Sequence, residues 1–185
     1  MRVIAGSKRR IQLETPEGME TRPTQDRIKE TLFNMIGPDL YDCTFLDIFA
    51  GSGQMGIEAL SRGARQAVFI DSSRAANLAI THNLQRTGLK GQSMVLNTDY
   101  SAALKKLSGQ HFDYVFMDPP YNHETERTVL ASLITEDCID SYSTVIVEAS
   151  LETSFDYVSE LGYTITKEKC YKTNKHIFLS RKDQI

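Results

Sequence analysis

The chain has 185 residues, of which 41% are hydrophobic, and a formal net charge of -3 at pH 7. This length predicts one domain over residues 1–185 with a sizeable core. We find no signal-peptide pattern, no apolar run that could span a membrane, and no paired spacing among Cys43, Cys138 and Cys170. These observations predict a cytoplasmic protein without membrane attachment, disulfide framework or metal site.

The N-terminal segment predicts a small hairpin or arm over residues 1–22. Two β-prone pieces, Arg2–Ala5 and Arg10–Leu13, precede a turn-rich stretch. Apolar residues at helical spacing then predict one amphipathic helix over residues 24–36. Gly37 and Pro38 follow it and are typical helix-ending residues.

From residue 44 onward, apolar strands alternate with helical segments. Right-handed β-α-β crossovers follow from this order, and they predict a mostly parallel α/β sheet with helices on both faces. Two closing strands joined by residues 172–175 predict an antiparallel C-terminal hairpin. The predicted strands are 44–50, 67–71, 94–98, 114–117, 145–147, 163–171 and 176–181, and the predicted helices of this part are 54–62, 73–86, 100–107, 124–134 and 152–160.

A glycine-rich turn follows the first of these strands. Residues 51–56 read Gly-Ser-Gly-Gln-Met-Gly, a G-x-G-x-x-G pattern where strand turns into helix. Glycines there allow a ligand to approach the backbone closely, with helix amides aimed at it. Asp71 ends the next strand, where a carboxylate can accept both hydroxyls of a cofactor ribose, and Asp99 ends the third strand at the same crevice.

This turn permits two cofactor classes, a nicotinamide dinucleotide or S-adenosylmethionine. Asp47 stands just before the glycines and favours S-adenosylmethionine, because a carboxylate suits the ammonium group of its methionine part and would lie poorly beside a pyrophosphate. A carboxylate that merely caps backbone amides is the alternative interpretation. An NAD-dependent oxidoreductase therefore stays the second candidate class.

The strand 114–117 ends in Asp118-Pro119-Pro120-Tyr121. Two prolines fix the backbone and end the ladder, so they hold carbonyls rigidly beside a carboxylate and an aromatic ring. A base amine that donates hydrogen bonds to Asp118 and to the Pro119 carbonyl would aim its lone pair at a methyl donor. Tyr121 would stack on the flipped base. A plain turn with a surface tyrosine is the alternative.

Charge is unevenly distributed along the chain. Residues 1–30 carry seven Lys/Arg against five Asp/Glu, residues 167–185 carry six against two, and the middle carries eight against seventeen. If the fold brings the two basic ends together, they form a surface for RNA phosphates. Ordinary solvated charge is the alternative, although the arm position of Lys8, Arg9 and Arg10 favours RNA contact.

Several of these segments together resemble one known family. The chain is similar to the bacterial RsmD-type 16S ribosomal RNA guanine-N2 methyltransferases in Asp47–Gly56, Asp118–Tyr121, Arg2–Gly6, Thr21–Thr24 and Arg27–Phe33. The resemblance implies a Rossmann-like seven-stranded methyltransferase fold, S-adenosylmethionine as donor, and a target guanine in 16S rRNA or the small ribosomal subunit, with no obligate protein partner evident. Asp-Pro-Pro-Tyr also occurs in adenine-N6 enzymes, so adenine-N6 methylation of DNA or RNA stays an alternative.

The resemblance also assigns individual residues. It implies catalytic roles for Asp118, Pro119, Pro120 and Tyr121, and cofactor contacts for Asp47, Ala50, Gly51, Ser52, Gly53, Asp71, Ser72, Asp99 and Tyr100. It also places Arg22 and Thr24 at the mouth of the site, as RNA contacts. The basic charge of the arm adds Arg2, Lys8, Arg9 and Arg10 as further predicted RNA contacts. Glu148 ends the fifth strand, where it could cap the next helix or line the crevice, and we interpret it as structural. We interpret the four histidines, His82, His111, His123 and His176, as surface or half-buried residues.

Overall fold

A computed structural model describes residues 1–16, 23–120 and 125–182. The strands are β1 Thr44–Ile48, β2 Gln66–Asp71, β3 Ser93–Asn97, β4 Tyr114–Met117, β5 Thr144–Ser150, β6 Tyr163–Cys170 and β7 Asn174–Arg181. The α-helices are α1 Pro23–Met35, α2 Gln54–Ser61, α3 Arg74–Thr87, α4 Tyr100–Lys106 and α5 Thr125–Thr135. Short 3-10 helices cover Gly37–Leu40, Lys90–Gln92 and Asp156–Ser159.

These strands form one sheet in the order β3-β2-β1-β4-β5-β7-β6. The first five are parallel, and β7 is antiparallel to both β5 and β6. The predicted mixed sheet is therefore confirmed. The chain leaves β1 toward β3 and later returns to β4 on the other side, so the crevice at the carboxyl ends of β1 and β4 is a topological switch point, the usual ligand site of such sheets.

Two apolar layers cover the sheet. One lies under α1, α2 and α3 and includes Phe45, Phe69 and Phe116, while the other lies under α4 and α5. Alternate residues of each strand contribute to opposite layers, as the side-chain period of two requires. Each fully buried aromatic or aliphatic side chain contributes roughly 1.5–3 kcal/mol of burial free energy, so the central strands form a rigid base for the crevice above them.

Several predicted boundaries were wrong. The fifth strand, predicted over 145–147, covers Thr144–Ser150, and the last strand, predicted over 176–181, begins at Asn174. The first strand ends at Ile48 rather than at residue 50, because Phe49 has a positive φ of 62° that ordinary strand geometry excludes. The helix predicted over 152–160 is only the 3-10 turn Asp156–Ser159. Its first residues fold differently because the Ser154 hydroxyl bonds to Asp156 and the Ser150 and Thr153 hydroxyls bond to each other, which competes with helix formation.

Residues 1–16 form the predicted arm, although its pairing is minimal. Arg2 and Gln12 make an isolated antiparallel bridge, and the Val3 amide donates to the Ile11 carbonyl at 3.0 Å. The buried side chains of Val3 and Leu13 belong to the apolar layer under α1 to α3. The arm is thus attached to the sheet domain by its own hydrophobic contacts.

Candidate active site

The turn between β1 and α2 depends on its glycines. Gly51 and Gly53 have φ values of 56° and 75°, a region that side chains disfavour. A Cβ on Gly56 would lie 2.4 Å from the Phe69 ring, so only glycine lets α2 approach β2 at this point. The Ala50 amide donates to the Ile70 carbonyl at 3.0 Å, which ties the turn to β2.

Asp71 closes the same turn from the end of β2. Its Oδ2 accepts a hydrogen bond from the Gly51 amide at 2.9 Å, and its Oδ1 accepts one from the Ser73 amide at 2.8 Å. Ser72 is exposed between them. Each carboxylate oxygen can accept a second hydrogen bond, and the Asp71 side chain is only half-buried. It can therefore still accept ligand hydroxyls.

Asp47 lies beneath the turn and is only 1% exposed. Its Oδ2 accepts a hydrogen bond from the Gly56 amide at 3.0 Å. Burial raises the pKa of this carboxyl well above its usual range, and the charges of Asp71 and Asp118 raise it further. A cationic ligand group beside these three carboxylates would oppose that shift. Gln54, at the start of α2, has a buried Oε1 with no hydrogen-bond partner among the described residues, which also suits a donor-bearing ligand.

Asp99 and Tyr100 lie where β3 meets α4. The Asp99 side chain caps the helix, since its Oδ1 accepts a hydrogen bond from the Ala102 amide at 3.0 Å. The Tyr100 ring lies 5.7 Å from the Phe49 ring at an angle of 58°. The unusual backbone of Phe49 therefore brings an aromatic side chain toward the third strand's end, forming an aromatic wall of the crevice.

Ser52 is buried in the glycine turn rather than open to the crevice. Its hydroxyl contacts the Met1 sulfur at 3.2 Å, and its carbonyl accepts a hydrogen bond from the Asn83 amide group at 2.9 Å. The Asn83 side chain also bonds to both the amide and the carbonyl of Glu14. Asn83 therefore links the arm to the glycine turn, a role that its place in the middle of a helix did not reveal.

Asp118 follows β4, the neighbour of β1, and so lies beside the glycine turn. The residue is exposed to solvent, but neighbouring protein atoms partly desolvate its carboxyl group. This partial desolvation, with a contribution from the Glu148 charge, raises the pKa of Asp118 to about 7. Pro119 is buried and Pro120 exposed. Tyr121, the last residue of the predicted tetrapeptide, lies outside the described residues.

The prediction of a surface or half-buried role for His176 was wrong in one respect. His176 is 1% exposed, and its Nε2 lies 3.1 Å from Oε2 of Glu148. Its ring packs edge-on against Phe116 and Tyr171. Glu148 and His176 are 28 positions apart in sequence but pair across β5 and β7. Only the prediction of that pairing could have revealed the contact.

A buried ionic group anchors the arm to α2. Glu58, which is fully buried, accepts hydrogen bonds from the Ile4 amide at 2.8 Å, the Ala5 amide at 3.0 Å and the Arg62 guanidinium at 2.8 Å. Lys29 donates to the Arg2 carbonyl at 2.7 Å. Burial lowers the pKa of Lys29, although the Glu58 charge opposes the shift. Two buried charges are thereby used to hold the arm's backbone.

The predicted RNA contacts are only partly described. Arg2, Arg9 and Arg10 are exposed, Lys8 is half-buried, and Arg2 pairs with Asp26 at 3.2 Å. The three arginines line a recess of about 640 Å³ together with Val3, Ile4, Asp26, Arg27 and Glu30. Arg22 lies outside the described residues. Thr24 is the second residue of α1, but its side chain is not described.

The two basic ends lie on different parts of the fold. The arm packs on α2 and α3, which cover β1 to β3, whereas β6 is the opposite edge of the sheet. Several C-terminal cations have local partners, including Lys175 with Glu168 and Arg181 with Asp137. Within the described residues, no hydrogen bond or ion pair joins the arm to β6 or β7.

Within residues 1–16, 23–120 and 125–182, no helix is long and apolar enough to cross a membrane. The same part of the chain contains no cluster of three or more His, Cys, Asp or Glu side chains that could hold a metal ion. The antiparallel β7 also distinguishes the sheet from the dinucleotide-binding order 3-2-1-4-5-6. The oxidoreductase alternative therefore has no support from the topology.

Comparison with known proteins agrees with this geometry. A family model described as "Conserved hypothetical protein 95" matches residues 1–180. Ribosomal RNA small subunit methyltransferase D of Haemophilus influenzae is 34% identical over 171 residues, covering 91% of this chain and 88% of that protein. The protein of the same name from Escherichia coli K12 is 33% identical over 169 residues, covering 91% and 84%.

Solved structures show the same architecture. The yhhF structure from Escherichia coli has a TM-score of 0.84 and 30% identity, covering 100% of this chain and 99% of that one. The fold is that of seven-stranded S-adenosylmethionine-dependent methyltransferases. The chain belongs to the Conserved hypothetical protein 95 family, the family of the ribosomal RNA small subunit methyltransferase D proteins.

Proposed function

We propose that this protein transfers a methyl group from S-adenosylmethionine to the exocyclic N2 amine of a guanine in 16S ribosomal RNA. Family membership supports the coarser activity, methylation of ribosomal RNA. The observation that carries the proposal is the position of Asp118-Pro119-Pro120 at the end of β4, directly beside the glycine turn that follows β1. An amine-binding corner and a cofactor turn then share one crevice.

The described residues fit S-adenosylmethionine. Asp47 and the turn of Ala50 to Gly53 would hold its methionine part, Asp71 with Ser72 its ribose, and Asp99 with Tyr100 its adenine. S-adenosylmethionine, when bound, supplies the methyl group as an electrophile. The open acceptor sites of Asp71 and the orphaned Oε1 of Gln54 agree with a ligand rich in hydroxyl and ammonium donors.

The target amine needs help to react, because its lone pair is delocalised into the base. Hydrogen bonds from the amine to the Asp118 carboxylate and the Pro119 carbonyl would favour a pyramidal nitrogen with a localised lone pair. Once methylated, the nitrogen must lose a proton, and a carboxyl with a pKa of about 7 is suited to take it. Pro119 and Pro120 fix the backbone, and Tyr121 would stack on the base.

RNA would approach from the side of the arm. Arg2, Lys8, Arg9 and Arg10 belong to the arm, which packs against the same apolar layer as Phe116 of β4. Arg22 precedes α1 in the sequence, and Thr24 lies in its first turn. A basic surface at this place would hold phosphates while the flipped base enters the crevice.

Mass spectrometry of ribosomal RNA nucleosides tests the proposal. Small-subunit RNA from cells without the gene should lack one N2-methylguanosine, which purified protein and S-adenosylmethionine should restore. Unchanged N2-methylguanosine together with a lost N6-methyladenine would contradict the proposal and favour adenine-N6 methylation. Separate measurement of naked RNA and small subunits would show which form is the substrate.

A further inference from the structure

Three polar side chains form a row beyond the apolar part of the sheet. Met117 of β4 pairs with Val147 of β5, so Asp118 and Glu148 are the next residues at the same level of two parallel strands. Glu148 in turn pairs with His176 of β7. Paired residues on neighbouring strands point to the same face of a sheet. The row of Asp118, Glu148 and His176 therefore lies on one face, at the carboxyl end of β4.

The row lies on the same side of the sheet as α1 to α3 and the arm. Phe116, Ile146 and Phe178 stand two residues from Asp118, Glu148 and His176, and they belong to the apolar layer under α1 to α3. Because side chains alternate along a strand, the polar row points to that same side. A base that enters from the arm would meet Glu148 as well as Asp118.

Glu148 is held in place from behind. Asn174 donates its Nδ2 to Oε1 of Glu148, and His176 presents its Nε2 to Oε2 at 3.1 Å. The Tyr171 hydroxyl lies 3.4 Å from the other ring nitrogen of His176. Burial raises the pKa of Tyr171 to about 12, so the hydroxyl keeps its proton and can donate it to that nitrogen. If Nδ1 of His176 accepts from Tyr171, the ring proton is on Nε2, and Nε2 then donates to Glu148.

Glu148 nevertheless remains open on its other side. Its side chain is 20% exposed, whereas His176 is 1% exposed. The buried Oδ1 of Asn174 has no hydrogen-bond partner among the described residues. Glu148 and Asn174 therefore present hydrogen-bond acceptors. The neighbouring carboxylates of Asp118 and Glu148 also repel each other unless a donor lies between them. A ligand that brings N–H donors would satisfy this arrangement.

We propose that Glu148 is a specificity-determining residue that accepts the ring N1–H of the target guanine, while Asp118 accepts a hydrogen bond from its N2 amine. Guanine presents these two donors side by side on its Watson–Crick edge. Adenine presents an unprotonated N1 beside its amine, so its lone pair would face the Glu148 carboxylate. The inference rests on the proposed function, since it concerns how the same site selects its base.

The test uses two small-subunit RNAs that differ at one position. After the methylated guanine is mapped, splinted ligation gives RNA with either guanine or 2-aminopurine there. 2-Aminopurine keeps the 2-amino group but has an unprotonated N1. Single-turnover transfer from radiolabelled S-adenosylmethionine is then measured for wild type, Glu148→Gln and Glu152→Gln. Glu152 is an exposed glutamate just after β5 and serves as the matched control.

We expect Glu148→Gln to lower the rate on guanine by about tenfold or more, because a neutral amide oxygen accepts the N1–H more weakly than a carboxylate does and one acceptor of the group becomes a donor. Its amide can donate to the N1 of 2-aminopurine, so the guanine preference should fall by at least that factor relative to wild type. Glu152→Gln should keep the wild-type preference. Equal losses on both bases would assign Glu148 a merely structural role and overturn the inference.

Wild type alone keeps the inference testable if Glu148→Gln does not fold. After correction for the reactivity of the free amines, equal rates of wild type on guanine and 2-aminopurine would also overturn it. Failure of the proposed function gives a different result. In that case wild type methylates no guanine in small-subunit RNA, whether the RNA is naked or assembled into subunits, although it still binds S-adenosylmethionine.

Discussion

The Asp71 carboxylate at the end of β2 and the Gly51 amide in the turn after β1 are joined by a hydrogen bond of 2.9 Å. The acidic side chain that would bind the ribose therefore also fixes the loop that would bind the methionine part. One carboxylate thus serves both the shape of the turn and the affinity for the ligand. Changes at Asp71 should affect cofactor binding before they affect the fold.

Asp71→Ala should weaken binding of S-adenosylmethionine by roughly 1–3 kcal/mol, because ligand hydroxyls lose their acceptor and the Gly51 amide loses its partner. Isothermal titration calorimetry with S-adenosylmethionine and S-adenosylhomocysteine measures the loss. Asp39→Ala, an exposed carboxylate on a 3-10 helix, is the control and should bind normally. Unchanged affinity in Asp71→Ala would remove Asp71 from the cofactor site.

Asp47→Asn should stabilise the ligand-free protein while it weakens cofactor binding. The folded-state pKa of Asp47 is raised above its ordinary value of 3.8, so its favourable contribution is complete below that value and is lost as pH rises through the folded-state pKa. Asparagine keeps an acceptor for the Gly56 amide and carries no buried charge. The Tm advantage of the variant should therefore grow above pH 4, by about 2–4 °C for each kcal/mol.

Differential scanning calorimetry across pH 4–8 measures this effect, and titration with S-adenosylmethionine measures the affinity. A variant that is less stable and binds the cofactor normally would mean that Asp47 only caps the backbone. That result would restore the alternative that the sequence left open for this residue.

Methyl transfer should depend on pH through Asp118. With a pKa of about 7, the carboxyl is neutral at lower pH and becomes an ionised acceptor as pH rises. The single-turnover rate at saturating cofactor should rise about tenfold per pH unit well below 7 and level off above it. Asp118→Asn should lose this step and fall by on the order of a hundredfold at pH 8.

Glu148→Gln tests the direction in which the pKa of Asp118 moves in this pH–rate profile. Removal of the neighbouring negative charge should lower the pKa of Asp118, so the step should move to lower pH. If the single-turnover rate rises over the same pH range in wild type and in Asp118→Asn, a group other than Asp118 titrates. A shift to higher pH in Glu148→Gln would contradict the interaction between the two carboxyls.

The sequence predicted the parts of the site that are local along the chain. The turn Gly51–Gly56, Asp71 and Asp118 each stand at a strand end, and the β-α-β order brings parallel strand ends to one edge. The contact of Glu148 with His176 could not be recognised, because it depends on the register between β5 and β7. Glu58 and Lys29 were also missed, since buried charges have no distinctive spacing in a helix.

The arm, too, was predictable from the sequence only in its local features. Its hairpin was predicted from local β propensity, but its place over α2 and α3 depends on long-range contacts such as Asn83 with Glu14. The two basic ends looked alike in charge. Only the position of β6 at the far edge of the sheet separates them.

The arm and the far edge can be compared directly in RNA binding. Double reversal of Arg9 and Arg10 to glutamate should weaken binding to small-subunit RNA and reduce the slope of log affinity against log salt by about 1–2. Reversal of the exposed Lys167 and Lys169 on β6 should have little effect. Filter binding at several salt concentrations measures both. Equal effects of the two double variants would make the arm ordinary charged surface.

Gly6→Ala tests whether the arm must dock on α2. Gly6 has a φ of 80°, and an added Cβ would lie 1.8 Å from the Ser61 carbonyl oxygen, a backbone atom that cannot turn aside. The substitution should break the hydrogen bond from the Ser7 amide to that carbonyl and cost roughly 1–3 kcal/mol of stability. RNA methylation should fall with it, because Arg9 and Arg10 are carried on the displaced segment.

Gly91→Ala is the matched control, since an added Cβ there meets nothing within 4 Å. Thermal unfolding, RNA methylation and S-adenosylmethionine binding are measured for both variants. We expect Gly6→Ala to lose stability and RNA methylation but to bind the cofactor within about threefold of wild type, because Asp71 and the glycine turn make no hydrogen bond to Gly6 within the described residues. A Tm equal to that of Gly91→Ala would show that docking at Ser61 is dispensable. An equal loss of cofactor affinity would mean that Asn83 transmits arm displacement to the Ser52 carbonyl, and the arm would then belong to the cofactor site.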